Sequence, residues 1–106
     1  MRIGDRVVVG GTAAIEPDGS STLGGPAAQM ERCCAIVAQA IADLNGTIDN
    51  TIRTRVYITS AAISSEVMAV HCKWFGTAMP VTAVIVVAGF VRPEWVVEVE
   101  AETVVG

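Results

Sequence analysis

The sequence predicts an α+β fold in which two helices cover one face of a mixed β-sheet. The first observation is that several segments are β-branched or alternate between apolar and polar residues, as strands do. The second is that two other segments carry apolar residues three and four positions apart, as helices do. The third is their order: a strand that can continue over residues 12–15, a helix, a strand, a helix and two final strands.

The first strand and the first helix lie in the amino-terminal half of the chain. The β-branched run at residues 7–9 predicts a buried strand, and the glycines at residues 10–11 indicate a close approach of the backbone. After a turn at residues 16–19, Pro26 suits the first position of a helix that stops at residues 45–46. The apolar stripe of this helix consists of Met30, Cys33, Cys34, Val37, Ile41 and Leu44.

Two strands of the second half alternate clearly, which predicts that each has one face on a core. For residues 51–58 we expect Ile52, Thr54, Val56 and Ile58 on one face and Arg53, Arg55 and Tyr57 on the other. For residues 95–105 we expect Val97, Val99, Ala101 and Thr103 on one face and Glu98, Glu100 and Glu102 on the other.

The second helix and the strand after it complete the pattern. Ser64 or Ser65 suits the start of this helix and Gly76 its end, and residues 80–88 form a nearly continuous apolar run. Such a run predicts a strand covered on both faces, and a chain this short most simply covers the second face with another subunit. The apolar positions of the helix are Val67, Met68, Val70, His71, Trp74 and Phe75.

Length and composition limit what the protein does. The 106 residues predict one domain over residues 1–106, with 52% hydrophobic and 17% charged residues and a net charge of −4. That charge argues against nucleic acid or an anionic membrane as partner. The longest apolar stretch, residues 83–91, is too short to cross a bilayer, and the start of the chain does not resemble a secretion signal, so we expect a cytoplasmic protein.

The cysteines do not form a metal or disulfide pattern. Cys33, Cys34 and Cys72 are odd in number and lack the spacing of zinc ligands, and His71 is the only histidine. We therefore expect no metal site, and we interpret the cysteines as reduced packing residues.

Several segments, taken in order, resemble one family. Residues 4–12 resemble its G-D-x-V-Y-V-S-G-Q strand, and residues 16–19 its D-P-x-T/D-G turn. Residues 52–59 resemble its V-x-R/K-T-x-V-Y/F-V-T/K strand. Residues 80–82 and 92–101 resemble its closing signature, P-A-R-S/T followed by P-x-x-L-V-E-I-E-A. On these motifs the chain is similar to the Rid family, the reactive intermediate deaminases, also called YjgF or endoribonuclease L-PSP proteins.

The resemblance implies a chorismate-mutase-like fold and a homotrimer in which three sheets form a central barrel. It also implies small-molecule clefts between the subunits, and hydrolysis of 2-enamines and 2-imines to 2-keto acids and ammonia without cofactor or metal. Chains of the family usually have a longer amino-terminal strand segment, and by this resemblance we expect that segment to be shortened here.

The resemblance also assigns residues to this chemistry. Glu98 corresponds to the first Glu of V-E-I-E and would orient the attacking water, and Gly11, with Thr12 after it, corresponds to the segment that borders the cleft. Three positions depart from the pattern. Thr82 stands where relatives carry the Arg that grips a substrate carboxylate, Val84 where a Cys is common, and Met68 near where an Asn is common.

Each of these residues also has a purely structural interpretation. Glu98 could belong to a solvated acidic strand face or to an intersubunit salt bridge, and Gly11 could form a bulge. Arg53 and Arg55 could bind an anion or pair with Glu residues across a subunit boundary. His71 could act as a general base or could simply pack on its helix.

Three functions follow, and they differ in class. The first is a Rid-type hydrolase acting on a reactive imine or enamine, with Glu98 as the catalytic residue. The second is a protein that binds a small molecule, or a divergent pathway enzyme, on the same trimeric scaffold, because Thr82, Val84 and Met68 make the cleft more neutral. The third, RNA cleavage, is disfavoured by the negative net charge and the single histidine.

Overall fold

The computed structural model describes residues 1–106 and contains one five-stranded mixed sheet with two helices on one face. Its elements are β1 (Arg2–Ile3), β2 (Arg6–Ala13), α1 (Pro26–Asp43), β3 (Thr51–Ile58), α2 (Ser64–Phe75), β4 (Val81–Val86) and β5 (Val97–Val104). The strand order is β1-β2-β5-β3-β4, with β3 and β4 parallel and the other neighbours antiparallel. The predicted α+β class is confirmed.

The core lies between the helices and the sheet face that they cover. The alternation of β5 is confirmed, because its apolar positions and Thr103 are buried while its three glutamates point to the other face. The stripe of α1 is also confirmed, except that Leu44 lies beyond the end of the helix and is only partly buried. Burying one side chain of this kind contributes roughly 1.5–3 kcal/mol. The buried stripe of α1 consists of Met30, Cys33, Cys34, Val37 and Ile41.

In β3, Ile52 faces away from the core, contrary to the predicted alternation. The prediction that Ile52 faces the core is wrong, because its relative exposure is 39% whereas Thr51 beside it is buried. The pairing of β3 with β5 shifts register between Thr51 and Arg53. A register shift of this kind reverses the direction of the side chains on one side of it, so the regular pattern holds only from Arg53 onward.

Strand β4 is shorter and more exposed than the sequence predicts. It covers Val81–Val86 rather than residues 80–88, and it forms an edge of the sheet beside β3. Helix α1 packs over β2 and β5 rather than over β4. Val81, Val84 and Val86 are exposed within the chain. A single chain therefore does not cover both faces of this strand.

The start of α2 also differs from the prediction. The helix begins at Ser64 without a capping side chain, so neither Ser64 nor Ser65 caps it. Instead Ser60 caps a short 3-10 turn at Ala61–Ile63, where its hydroxyl accepts a hydrogen bond from the backbone N–H of Ala62. This turn leads directly into α2, so the polar cap lies one turn earlier than expected.

Side chains of α1 connect it to the segment before β5 and to α2. The nearly buried Gln29 amide donates to the Glu94 carbonyl at 2.9 Å and accepts from the Val96 N–H at 2.9 Å. Glu31 accepts hydrogen bonds from Lys73 at 3.0 Å and from the Trp74 indole at 2.8 Å. The two helices and the approach to β5 are thus held in one arrangement.

The cysteines divide into two kinds. Cys33 and Cys34 are buried packing residues as predicted, whereas Cys72 on α2 is exposed, so the packing interpretation is wrong for Cys72. Burial raises the pKa of the Cys33 thiol to about 12, and it also raises the pKa of Cys34. Neither helix is long and apolar enough to span a membrane.

Candidate functional site

Glu98 lies on the sheet face opposite the helices, beside a bulge in β2. The pairing of β2 with β5 shifts register between Val9 and Thr12, which places one extra residue at the glycine pair. A Cβ atom on Gly11 would lie 3.0 Å from the Glu98 Oε1 atom. The absence of a side chain at Gly11 therefore leaves room for this carboxylate, and Gly11 lies in the bulge that its structural interpretation predicts.

The carboxylate of Glu98 has no partner within the chain. It makes no hydrogen bond and no ion pair within the chain, unlike its neighbours on the same face. Partial burial, and then the nearby Glu100 carboxylate, raise the pKa of Glu98 above its ordinary value. A carboxyl group with a raised pKa exchanges protons more readily near neutral pH than an ordinary Glu does.

The other two glutamates of this face, Glu100 and Glu102, form partly exposed ion pairs with arginines of the same chain. Arg55 pairs with Glu100 at 3.4 Å and Arg6 pairs with Glu102 at 3.7 Å. A hydrogen bond to Glu100 raises the pKa of the Tyr57 phenol. Arg55 thus finds its glutamate within its own chain, whereas Arg53 forms no ion pair.

Thr12 is not brought to Glu98. It pairs with Val99, whose side chain is buried on the helix side of the sheet. The Thr12 hydroxyl donates to the Gly10 carbonyl at 2.9 Å, inside the bulge. In one chain, Thr12 therefore shapes the backbone around Gly11 and does not join the carboxylate.

Thr82 lies on the helix side of the sheet, in a chain of hydrogen bonds. Its hydroxyl oxygen is 2.8 Å from that of Thr54, which in turn is 2.8 Å from the His71 Nε2 atom. The Thr82 hydroxyl also donates to the Pro80 carbonyl at 3.1 Å. Thr54 and His71 are buried, while Thr82 is partly exposed, so the chain leads from the core to the surface.

A groove runs between α2 and the segment that leads into β4, and its lining reaches Pro80, two residues before Thr82. We call it the α2–β4 groove. Met68 lines it as part of the helix, and Val84 lies two residues beyond Thr82 on the same side of β4, where it is exposed. The surface of the groove is mainly apolar. Its lining consists of Met68, His71, Cys72, Phe75, Met79 and Pro80.

The predicted site residues form two groups that do not meet in one chain. Gly11 and Glu98 lie on the face away from the helices, whereas Met68, Thr82 and Val84 lie on the helix side. Strands β5 and β4 are also separated by β3, which places their backbones about 10 Å apart. A cleft built from both groups requires surfaces of two different copies.

Thr54 is a candidate functional residue that the sequence analysis assigned only to the core. It was expected on the core face of its strand, and it is there, but its hydroxyl joins His71 to Thr82. A hydroxyl among Val and Ile residues on a buried face requires a partner, which was the available signal. No group of three or more His, Cys, Asp or Glu side chains is placed to hold a metal ion.

Comparison with known proteins identifies the family and the fold of the chain. The endoribonuclease L-PSP family model matches residues 1–105. The chain belongs to this family. Solved structures similar to this Rid-family chain carry the family's other names, YjgF and UK114.

Two relatives and one further structure illustrate the range of the match. The uncharacterized protein SCO2049 of Streptomyces coelicolor is 35% identical over 99 residues, which are 93% of this chain and 74% of that protein. Rv2704 of Mycobacterium tuberculosis is 35% identical with a TM-score of 0.87, over 98% of this chain and 82% of that one. RidA of an Antarctic Psychrobacter has a TM-score of 0.91 at 19% identity, over 99% and 85%, which shows a shared fold.

Proposed function

We propose that this Rid-family chain hydrolyses the C=N bond of small reactive imines, or of their enamine tautomers, in a cleft between copies of itself. The observation that carries the proposal is the uncommitted carboxylate of Glu98, with its raised pKa and the space left beside it by Gly11. A carboxylate held in this way can accept a proton from water and later return it. The reaction needs no group beyond water and the substrate.

The chemistry divides into addition and elimination. In the addition, Glu98 accepts a proton from a water molecule while the water oxygen bonds to the imine carbon and the nitrogen takes up a proton from solvent. In the elimination, the Glu98 carboxyl returns its proton to the nitrogen, the C–N bond breaks and ammonia leaves, and the carbonyl forms as the hydroxyl releases its proton to solvent. Overall one imine and one water give one carbonyl compound and one ammonia.

A complete cleft would combine the two groups of residues from neighbouring copies. The Glu98 surface of one copy would face the α2–β4 groove of the next, because the two groups lie on opposite faces of one sheet. The homotrimer expected from the resemblance provides such an arrangement. The exposed valines of β4 support it, since they lie uncovered in the single chain.

The proposed substrates lack a carboxylate at the position that relatives recognise. Thr82 occupies the place of the carboxylate-binding Arg, and it carries no charge. A bidentate Arg holds a carboxylate through two charge-assisted hydrogen bonds, which a threonine hydroxyl does not replace. Neutral imines should therefore be hydrolysed in preference to 2-imino acids.

The test compares two glutamates on the same strand. Imines are generated in place by a flavin-dependent amine oxidase, for neutral substrates, or by an amino-acid oxidase, for 2-imino acids, and ammonia release is followed with and without the protein. We expect acceleration with wild type, a loss of at least ~100-fold in Glu98→Gln, and little change in Glu102→Gln. Absence of acceleration on both substrate sets, or full activity of Glu98→Gln, would contradict the proposal.

A second candidate is a protein that binds a small molecule without converting it. The observation in its favour is the mainly apolar lining of the α2–β4 groove, in which Met68 stands near where relatives carry an Asn. Thr82→Arg distinguishes the two functions. It should give activity on 2-imino acids if Glu98 is competent, whereas a folded but inert variant favours the binding function.

A further inference from the structure

We propose that Thr82 acts as a hydrogen-bond acceptor in the cleft, so that the ligand presents an N–H or O–H group to this hydroxyl rather than an anion. The inference rests on the proposed cleft and specifies which chemical group of the ligand meets the α2–β4 groove. It is carried by the direction of the hydrogen bonds that join His71, Thr54 and Thr82. That direction follows from counting protons.

We treat the three contacts of this chain as simultaneous hydrogen bonds. A carbonyl oxygen can only accept, so in this arrangement the Thr82 hydroxyl donates its single proton to Pro80. The 2.8 Å contact between Thr82 and Thr54 therefore uses the proton of Thr54. Thr54 then has no proton left, so the 2.8 Å contact with His71 uses the Nε2–H of the imidazole. All three bonds point the same way, from the core to the groove.

The state of the ring agrees with this direction. Burial lowers the pKa of His71, which favours the neutral imidazole, and a neutral ring carries one proton. That proton is the one on Nε2. The ring also packs against Phe75 with centroids 4.8 Å apart, so its orientation is fixed by contacts on the same helix.

What remains on Thr82 is an unused lone pair. A hydroxyl oxygen can accept two hydrogen bonds, and Thr54 supplies one. No Lys or Arg of the same chain lines the α2–β4 groove. An anion at Thr82 would meet oxygen lone pairs without a compensating charge from that chain, which is unfavourable.

The test uses two small probes of the same shape. Butyramide donates N–H hydrogen bonds, whereas butyrate only accepts and carries a charge. Binding is measured by the ¹³C-methyl resonances of the methionines, because Met68 and Met79 line the groove and the buried Met30 serves as an internal control. We expect the wild type to bind butyramide at least ~10-fold more tightly than butyrate, with shifts at Met68 and Met79.

Three variants test whether Thr82 causes the preference. Thr82→Val keeps the shape without the oxygen and should remove the preference, whereas Thr82→Ser should retain it. Thr103→Val is the matched control, because it removes a buried threonine pair, with Thr51 at 3.0 Å, outside the groove. It should leave the preference unchanged.

Equal or tighter binding of butyrate, retention of the preference in Thr82→Val, or absence of binding of either probe would each overturn the inference. These outcomes are independent of catalysis. A wild type that selects butyramide but hydrolyses no imine would refute the proposed hydrolase function and leave the role of Thr82 intact. A protein that hydrolyses imines without this selectivity would refute the role of Thr82 and leave the proposed hydrolase function intact.

Discussion

At the scale of single residues, His71 shows how context determines the role of a group. The sequence allowed a general base or a packed helix residue. The structure buries the ring to 6% exposure, and its only side-chain hydrogen bond is to Thr54. His71 is therefore placed to orient the two threonines, which makes it a positioning residue for Thr82.

The neutral state of His71 predicts how stability depends on pH. The unfolded chain binds a proton at the ordinary histidine pKa of 6.5, whereas burial lowers this pKa in the folded chain. The contribution of His71 to folding stability should therefore be full above pH 6.5 and decrease as the pH falls below it, because protonation of His71 favours the unfolded chain. Urea unfolding at pH 7.5 and pH 5.5 measures the difference.

His71→Gln is the control for this prediction. Its amide can still donate to Thr54, but it does not titrate. The loss of stability between the two pH values should be smaller in His71→Gln than in wild type. An equal loss in both proteins would assign the pH dependence to other groups.

At the scale of elements, the bulge of β2 determines where Glu98 can lie. It inserts an extra residue opposite β5 and directs the backbone of Gly11 toward the carboxylate. The neighbouring Gly10 has no atom within 4 Å of the position that its Cβ would occupy. Two adjacent glycines therefore have different roles: a side chain at Gly11 would collide with Glu98, whereas the space beside Gly10 would accept one.

Two alanine substitutions separate these roles. Gly11→Ala would place a methyl group 3.0 Å from the Glu98 Oε1 atom and displace the carboxylate, whereas Gly10→Ala meets open space. We expect imine hydrolysis to fall at least ~10-fold in Gly11→Ala, because a catalytic group moved by a fraction of an ångström loses its alignment. Gly10→Ala should stay near wild type, and similar activity in both variants would show that this contact does not matter.

The elements differ in how far the sequence predicts them. Helix α1 and strand β5 were predicted well because each packs one regular face on the core. The direction of Ile52 was predicted wrongly, because the register shift beside it depends on pairing with β5 and cannot be read from the alternation of residues along β3. The length and exposure of β4 depend on what lies beside it, and one chain does not contain that neighbour.

The residues of the candidate site also divide into those that the sequence predicts and those that it does not. Glu98 and Gly11 were found through motifs and are adjacent in space. The link between Thr82 and His71 was not found, because it depends on the parallel pairing that sets Thr82 beside Thr54. The spacing of residues along the sequence does not predict that contact.

At the scale of the whole molecule, the apolar surface exceeds what one chain can bury. The sequence is 52% hydrophobic, yet large apolar side chains remain exposed along β4. Exposed apolar residues concentrated on one strand are typical of an interface. We expect copies of the chain to cover this strand, in agreement with the proposed trimer.

A lysine on the strand tests this assembly. Ile85 lies on the sheet face away from the helices, opposite Tyr57, and a charge there should dissociate the trimer because it would be buried without a partner. Sedimentation equilibrium should give about three times the 11.0 kDa chain mass for wild type and about one chain mass for Ile85→Lys. Leu23→Lys, at a loop position 92% exposed, should remain trimeric.

A monomeric wild type would contradict the proposed cleft. Such a result would leave the Glu98 surface and the α2–β4 groove as separate surfaces. An intact trimer in Ile85→Lys would instead show that the copies meet through another part of the chain.

The Gln29 side chain has a consequence for how the protein opens. Its amide occupies the Val96 N–H and the Glu94 carbonyl, which in a longer β5 would be bonded to another strand. The Val96 amide can therefore exchange with solvent only when α1 moves away from the sheet. The approach to Glu98 and the amino-terminal part of α1 thus belong to one cooperative unit, which loosens as a whole or not at all.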